Sequence, residues 1–400
     1  MVLKKIYKKF YIFFIYILLI YPILIVLLFL RIFFRFNIIE LETRKIGHFS
    51  LSVEIFLCEV LNKKVNNKIF YIWFPNREIS NNFLFKKWSE IIYLGPRIIL
   101  EKIFNLSNKY SLLGNLFLSE YRHWKTPDNI IGNWQTSDIH NVLEISKPRI
   151  SFSNSEEQLG LKFLKNIGFE NKKYMCFFSR TSCYHNDPPT IRNASIYTQL
   201  KGIEEICKKD FAAIRMSRLD LNNPLNSKNP RIYDYAYSDN KSDFLDIYLL
   251  FHCSYMVSTS SGIDLIPKIN RKKVLSLNFV DIALSYLLNY TPIILPKKII
   301  NFISKKIVPF REVFKKDLLN PHNTKKKLND LGYDYLDNSE NEIYSAINEM
   351  HEHIINKSEL NHNELNNKFW DLYEDFYLHR RPKNTFVSKN FLMEYKDLLN

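Results

Sequence analysis

Glycine is scarce in this chain, 9 of 400 residues, where roughly 7% is usual, and several motifs that depend on it are missing. There is no G-x-x-x-x-G-K-[ST] and no G-x-G-x-x-G, which removes P-loop hydrolases and the common dinucleotide-binding dehydrogenases. Neither H-E-x-x-H nor G-x-S-x-G occurs, so zincins and hydrolases built on a nucleophile elbow drop out as well. Cysteine is thin too: Cys58, Cys176, Cys183, Cys207 and Cys253 form an odd set without a C-x-x-C pair. No disulfide framework or zinc site is implied, and a reducing compartment suits the folded part. Asp220, Asp234 and Asp239 are scattered rather than grouped as an Asp-x-Asp triplet, which favours chemistry without a metal or a cofactor.

What is present is a globular balance, 46% hydrophobic and 24% charged, in a length that holds two or three domains. The net charge of +15 is concentrated in two places: residues 1–50 contribute +6 and residues 297–330 contribute +7. Both clusters suit an anionic lipid surface; for Lys325, Lys326 and Lys327 a solvated helix face is the competing reading. Charge placed in this way does not form a basic groove with stacking aromatics, so nucleic acid is not an expected partner.

Tyr11 to Leu30 is a run of 20 residues without a charge, preceded by Lys4, Lys5, Lys8 and Lys9 and followed by Arg31 and Arg35. The run is long enough to cross a bilayer. Bulky apolar residues continue to Phe36, with no small-residue cleavage site, so a cleaved signal peptide is not expected. Pro22 lies mid-run and either kinks a spanning helix or breaks it into a shallow hairpin in the cytoplasmic leaflet. The expected organisation is a membrane anchor over 1–36, α/β domains over 37–165 and 166–320, and a helical extension over 321–400.

Short apolar runs alternate with amphipathic stretches, the signature of α/β layers. In the second half, strands are expected over 173–178, 211–216, 255–258 and 272–277, with helices over 196–208 and 242–252. The most informative stretch is MVSTSSGIDLIP (256–267), where a strand stops at Thr259, Ser260, Ser261 and Gly262 and a helix begins. Small hydroxyl residues at such a junction leave unpaired N–H groups open to an anion, and a rare glycine there points to a backbone requirement; an ordinary capped turn is the alternative. Arg180 and Arg215 each follow a strand at the rim where open α/β sheets bind ligands. Together with the 259–262 bend they would clamp a diphosphate, unless Asp187, Asp234 or Asp243 pairs with them instead. His48, at the end of the first strand, is a candidate general base or a helix cap. Asp187 is a second candidate base, or an Asx turn ahead of Pro188 and Pro189.

Three stretches resemble a family of bacterial glycosyltransferases linked to surface polysaccharides, two-domain enzymes of the GT-B type. They are RKIGHFSLSVE (44–54); 174–196, with Ser-Arg-Thr, Asp187-Pro188 and Arg192-Asn193-Ala194; and 211–267, with Ile214-Arg215-Met216 and Thr259-Ser260-Ser261-Gly262. Thr181 and Ser217 depart from the family pattern and leave the donor sugar open. The resemblance implies two Rossmann-like domains facing a central cleft. It also implies a nucleotide sugar as donor substrate, gripped by the second domain, and a glycan or lipid-linked acceptor presented by the first. With the apolar segment this places the chain at the cytoplasmic face of a bacterial inner membrane. Two other readings stand beside it: a different glycan-modifying transferase, and a non-catalytic membrane scaffold of a polysaccharide assembly complex.

Overall fold

The computed structural model describes residues 16–400 except 65, 119–137, 139, 182–190, 218–223, 226, 284–287, 361–363 and 378–380. The chain divides into two compact units, Met1–Thr136 and Ser137–Asn400.

In the first unit β1 (Phe36–Leu41), β2 (Phe70–Pro75) and β3 (Tyr93–Leu94) form a parallel sheet in that order. Parallel neighbours need long crossovers, which the helices Val53–Leu61 and Asn82–Ser89 provide. Asn81 caps the second of these by accepting from Leu84 N–H at 2.7 Å. Trp88, fully buried, donates from Nε1 to Phe49 O at 2.9 Å and fastens that helix to the turn after β1. On the other face Ile38 and Phe74 pack with Leu100, Ile103 and Phe117 from the helices Arg97–Lys109 and Ser111–Phe117.

The N-terminal segment joins this core. A π-helical turn (Tyr16–Ile20) leads into the helix Tyr21–Leu30, and Ile20 and Leu24 are buried beside Ile38, Phe74 and Leu100. Pro22 stands in the first turn of that helix, where the π-helical turn passes into the α-helix. Among the described residues no helix is long and apolar enough to cross a membrane. The first five residues of the expected 11–30 span lie outside the described residues.

In the second unit the strands are β4 (Tyr174–Phe177), β5 (Ala212–Arg215), β6 (Ile232–Tyr233), β7 (Tyr255–Ser258), β8 (Lys273–Phe279), β9 (Ile293–Pro296), β10 (Lys298–Asn301), β11 (Tyr333–Leu336) and β12 (Phe386–Val387). Seven of them make one sheet, ordered β12-β9-β8-β7-β4-β5-β6, with every neighbouring pair parallel. From β6 to β9 this is the doubly wound 3-2-1-4-5-6 order, with β12 as a seventh strand. Every residue of β4, β5, β7 and β9 is buried, as expected of parallel strands covered on both faces. β10 and β11 pair separately and antiparallel.

Two boundaries differ from those expected from the sequence. The units divide at 136/137, not at 165/166, because residues 138–166 are tied to the second sheet's surroundings: Arg271 Nη2 donates to Ser146 O at 2.9 Å, and Tyr248 Oη donates to Glu157 Oε2 at 3.1 Å. The 321–400 stretch belongs to the second unit and includes β11 and β12, which periodicity does not reveal in two to four residues. The cysteines Cys58, Cys176, Cys207 and Cys253 are buried thiols outside any disulfide, and Cys183 lies outside the described residues.

Candidate functional site

The winding of the second sheet reverses between β4 and β7: β5 and β6 add on one side, and β8 and β9 on the other. Loops leaving the carboxyl ends of the two strands diverge there, the position where open α/β sheets hold ligands. Pairing of Phe177 with Val257 sets the register, and two bonds extend it past the strands: Phe178 N–H to Val257 O at 2.9 Å, then Arg180 N–H to Thr259 Oγ1 at 2.8 Å. Arg180 and the 259–262 bend are thus fastened side by side.

Ser260 occupies this bend with φ of +54°, a left-handed conformation uncommon for a residue with a side chain. It is 7% exposed, and among the described residues its Oγ has no hydrogen-bond partner. A buried hydroxyl in that condition calls for an explanation, and a ligand atom at the switch point supplies one. Its carbonyl accepts from Arg192 Nη2 at 2.8 Å. Arg192 is drawn in by the segment that follows it: Ala194 N–H donates to Arg180 O at 3.1 Å, Ser179 Oγ to Ala194 O at 2.8 Å, and the buried Lys297 Nζ to Asn193 O at 3.0 Å.

Asp281, just past β8, lies 3.8 Å from Arg192. Burial pushes its carboxyl upward, and the charges of Arg192, His322 and Arg180 pull it down, so both arginines are felt at one carboxylate. Lys297 is held below the usual lysine range by burial, opposed by Asp337 at 2.7 Å. Beneath the bend Asp264 accepts from Ser258 Oγ at 2.5 Å and from Ser261 N–H at 2.8 Å, and burial raises it to about 6. The Ser261 N–H at the start of the helix is therefore given to an internal carboxylate, the capped turn that the sequence held open as the alternative to an anion site.

Arg215 has a different setting from the open clamp expected of it. It ends β5, is 2% exposed, and its Nη1 donates to Asp234 Oδ2 at 3.2 Å, the pairing held open as the alternative. The register of β5 with β6 makes this so, since Ile214 lies opposite Tyr233, next to Asp234. Arg192 stands beside the bend instead, and it and Asp281 were not singled out as site residues from sequence; the Arg192-Asn193-Ala194 triplet was the available signal.

On the first unit His48 opens a π-helical turn (His48–Ser52) after β1. Burial and Lys45 hold its imidazole below the ordinary histidine value, against Glu42, so it is a neutral base at pH 7. Asp187 lies outside the described residues. Among the described residues no group of three or more His, Cys, Asp or Glu is placed to hold a metal ion.

No protein-family model matches the chain, and no curated protein does. Among solved structures it is similar to the ADP-heptose LPS heptosyltransferase II of E. coli, at 10% identity over 61% of this chain and 84% of that one, with a TM-score of 0.36. It is also similar to a glycosyl transferase family 9 structure from Veillonella parvula, at 8% identity over 61% and 80%, with a TM-score of 0.38. A third is the iron-containing dodecameric glycosyltransferase TibC from enterotoxigenic E. coli, at 12% identity over 65% and 61%, with a TM-score of 0.35. Scores of this size carry no weight for chemistry, which rests on the site itself.

Proposed function

We propose that this chain is a membrane-associated glycosyltransferase that moves a sugar from a nucleotide-sugar donor to a glycan or lipid-linked acceptor, in surface polysaccharide synthesis at the cytoplasmic face of a bacterial inner membrane. The observation that carries the reading is the buried Ser260 hydroxyl, without a hydrogen-bond partner among the described residues, in the bend that fastens Arg180 and Arg192 at the switch point of the doubly wound sheet. A nucleoside diphosphate accepts a hydrogen bond from the Ser260 hydroxyl and presents its charge to the two guanidinium groups. As the bond from the anomeric carbon to the β-phosphate oxygen breaks, negative charge builds on that oxygen, and fixed donors stabilise it without reorganisation. His48, its imidazole held below the ordinary histidine value by burial, is the proposed base for the acceptor hydroxyl, and Asp187 is the second candidate. Leaving-group stabilisation falls to arginine in this reading, and turnover without a divalent metal is part of the proposal.

The test is a panel of UDP, GDP, ADP and CDP sugars with release of free nucleotide as readout, beside calorimetry with the nucleoside diphosphates. Tight binding of one diphosphate and turnover of its sugar support the proposal; absence of binding by every diphosphate retires it. One observation favours a non-catalytic scaffold as a second reading: Asp264 already holds Ser261 N–H, and Arg192 is engaged by Ser260 O and Asp281. A transferase of pyruvate or phosphate to a glycan would use the same cations, and the donor panel separates it.

A further inference from the structure

We infer that the N-terminal helix is an in-plane lipid anchor, and that its outer face and the adjoining start of the first sheet rest on an anionic bilayer without crossing it. This rests on the membrane association proposed above and names its mode; it does not depend on sugar transfer.

The helix Tyr21–Leu30 has two apolar faces with different fates. Ile20 and Leu24 are 0% and 7% exposed, inside the core with Ile38, Phe74 and Leu100. Ile25, Val26, Phe29, Ile32 and Phe33 point the other way and are each 55–74% exposed. Arg31 closes the helix by donating to Phe36 O and lying over the Phe36 and Phe117 rings at 5.8 and 5.7 Å. A membrane-crossing helix built from these residues would strip the first face from its own domain. The docked helix can only lie along a surface, as interfacial helices do.

The exposed strip continues onto the sheet. Phe70 N–H donates to Arg35 O at 2.9 Å, and its exposed ring meets that of Tyr93 at 5.1 Å, both at the starts of their strands. The loop entering β2 adds Lys63, Lys64 and Lys68, all exposed, beside the exposed Arg35. Residues 16–36 and 62–70 contain no Asp or Glu. The occupant must therefore be apolar at its centre and anionic at its rim. A second copy of the chain meeting this face across a twofold axis would set cations against cations. Residues 1–15 would bring four more lysines and no acid. Acyl chains below a layer of anionic headgroups match both requirements, with the long basic side chains reaching up to the phosphates.

The full chain is floated with vesicles of phosphatidylcholine alone and of phosphatidylcholine with phosphatidylglycerol. Expected is binding that is stronger on the anionic vesicles and released by alkaline carbonate. Phe29→Glu with Phe33→Glu lowers the bound fraction on the order of tenfold or more, and Lys63→Glu, Lys64→Glu and Lys68→Glu together abolish the preference for anionic lipid. Phe33→Trp in the intact chain is quenched by shallow brominated lipid, a readout independent of whether the charged variants fold. Carbonate-resistant binding means a spanning segment and overturns the inference while membrane association stands. No flotation on any vesicle, or a concentration-dependent dimer lost in Phe29→Glu with Phe33→Glu, overturns both. Diphosphate calorimetry on the same preparations reports separately on the transferase reading.

Discussion

Lys268→Met tests whether the bend that holds Ser260 is braced by the attraction between two buried charges, Asp264 and Lys268. Asp264 and Lys268 are 4% and 5% exposed, and burial pushes them toward neutrality, the carboxyl up to about 6 and the amine down to about 8, each opposed by the other's charge. A rise from 3.8 to about 6 is worth about 3 kcal/mol at neutral pH even with Lys268 in place. Taking the ammonium away leaves the carboxylate uncompensated, and the expected loss is about 3–5 kcal/mol. Asp264→Asn with Lys268→Met removes both charges while the amide keeps an oxygen for Ser261 N–H and a donor for the Ser258 hydroxyl. The double variant should lose under about 2 kcal/mol and Asp264→Asn alone is also destabilising, so the cycle shows a coupling of about 1 kcal/mol or more. Urea unfolding of the four proteins at pH 7 measures it. The pH arm has a definite sign: a carboxyl raised in the folded state favours folding below 3.8, and that benefit is lost as pH rises to about 6. Across that window the double variant gains on the wild type by about 3 kcal/mol. Additivity within about 0.5 kcal/mol would refute the brace.

Arg180→Ala and Arg192→Ala are each expected to lower kcat on the order of 10²-fold, by analogy with removal of one transition-state donor, in a nucleotide-release assay; EDTA should leave the wild-type rate unchanged. Because burial lowers the His48 pKa, its base form persists below the ordinary 6.5, so the acid limb of kcat/KM lies under that value and vanishes in His48→Ala. In Gly160→Ala the new methyl would stand 2.0 Å from Tyr248 Cζ, on a ring 1% exposed, and a loss of about 1–3 kcal/mol in urea melts is expected.

Much of the second unit was legible in the chain because its strands are short, wholly buried apolar runs ended by small or charged residues. The runs at 174–177, 212–215 and 255–258 fall within the expected strands, and Ser242 caps the helix Asp243–His252 as its spacing implies. The bend at 259–262 is legible for the same local reason, a break in apolar pattern at serines and a rare glycine. Arg192 was marked only by the Arg192-Asn193-Ala194 triplet, which says nothing of what it meets; the tether from Ala194 back to Arg180, and from Lys297 to Asn193, brings it onto Ser260.

Local chemistry along the chain determined which residues become strands and helices, where they stop, and that two arginines follow strand ends. Which arginine meets the bend was decided by tertiary structure: the register of β5 with β6 delivers Asp234 to Arg215, and the switch point delivers Arg192 to Ser260. The same holds at the N-terminus, where an unbroken apolar run fits a bilayer span or a domain surface equally well. Packing of Ile20 and Leu24 against Ile38, Phe74 and Leu100 buries one side of the described part of that run, which the sequence could not show, because hydrophobic periodicity states how much must be buried and not against what.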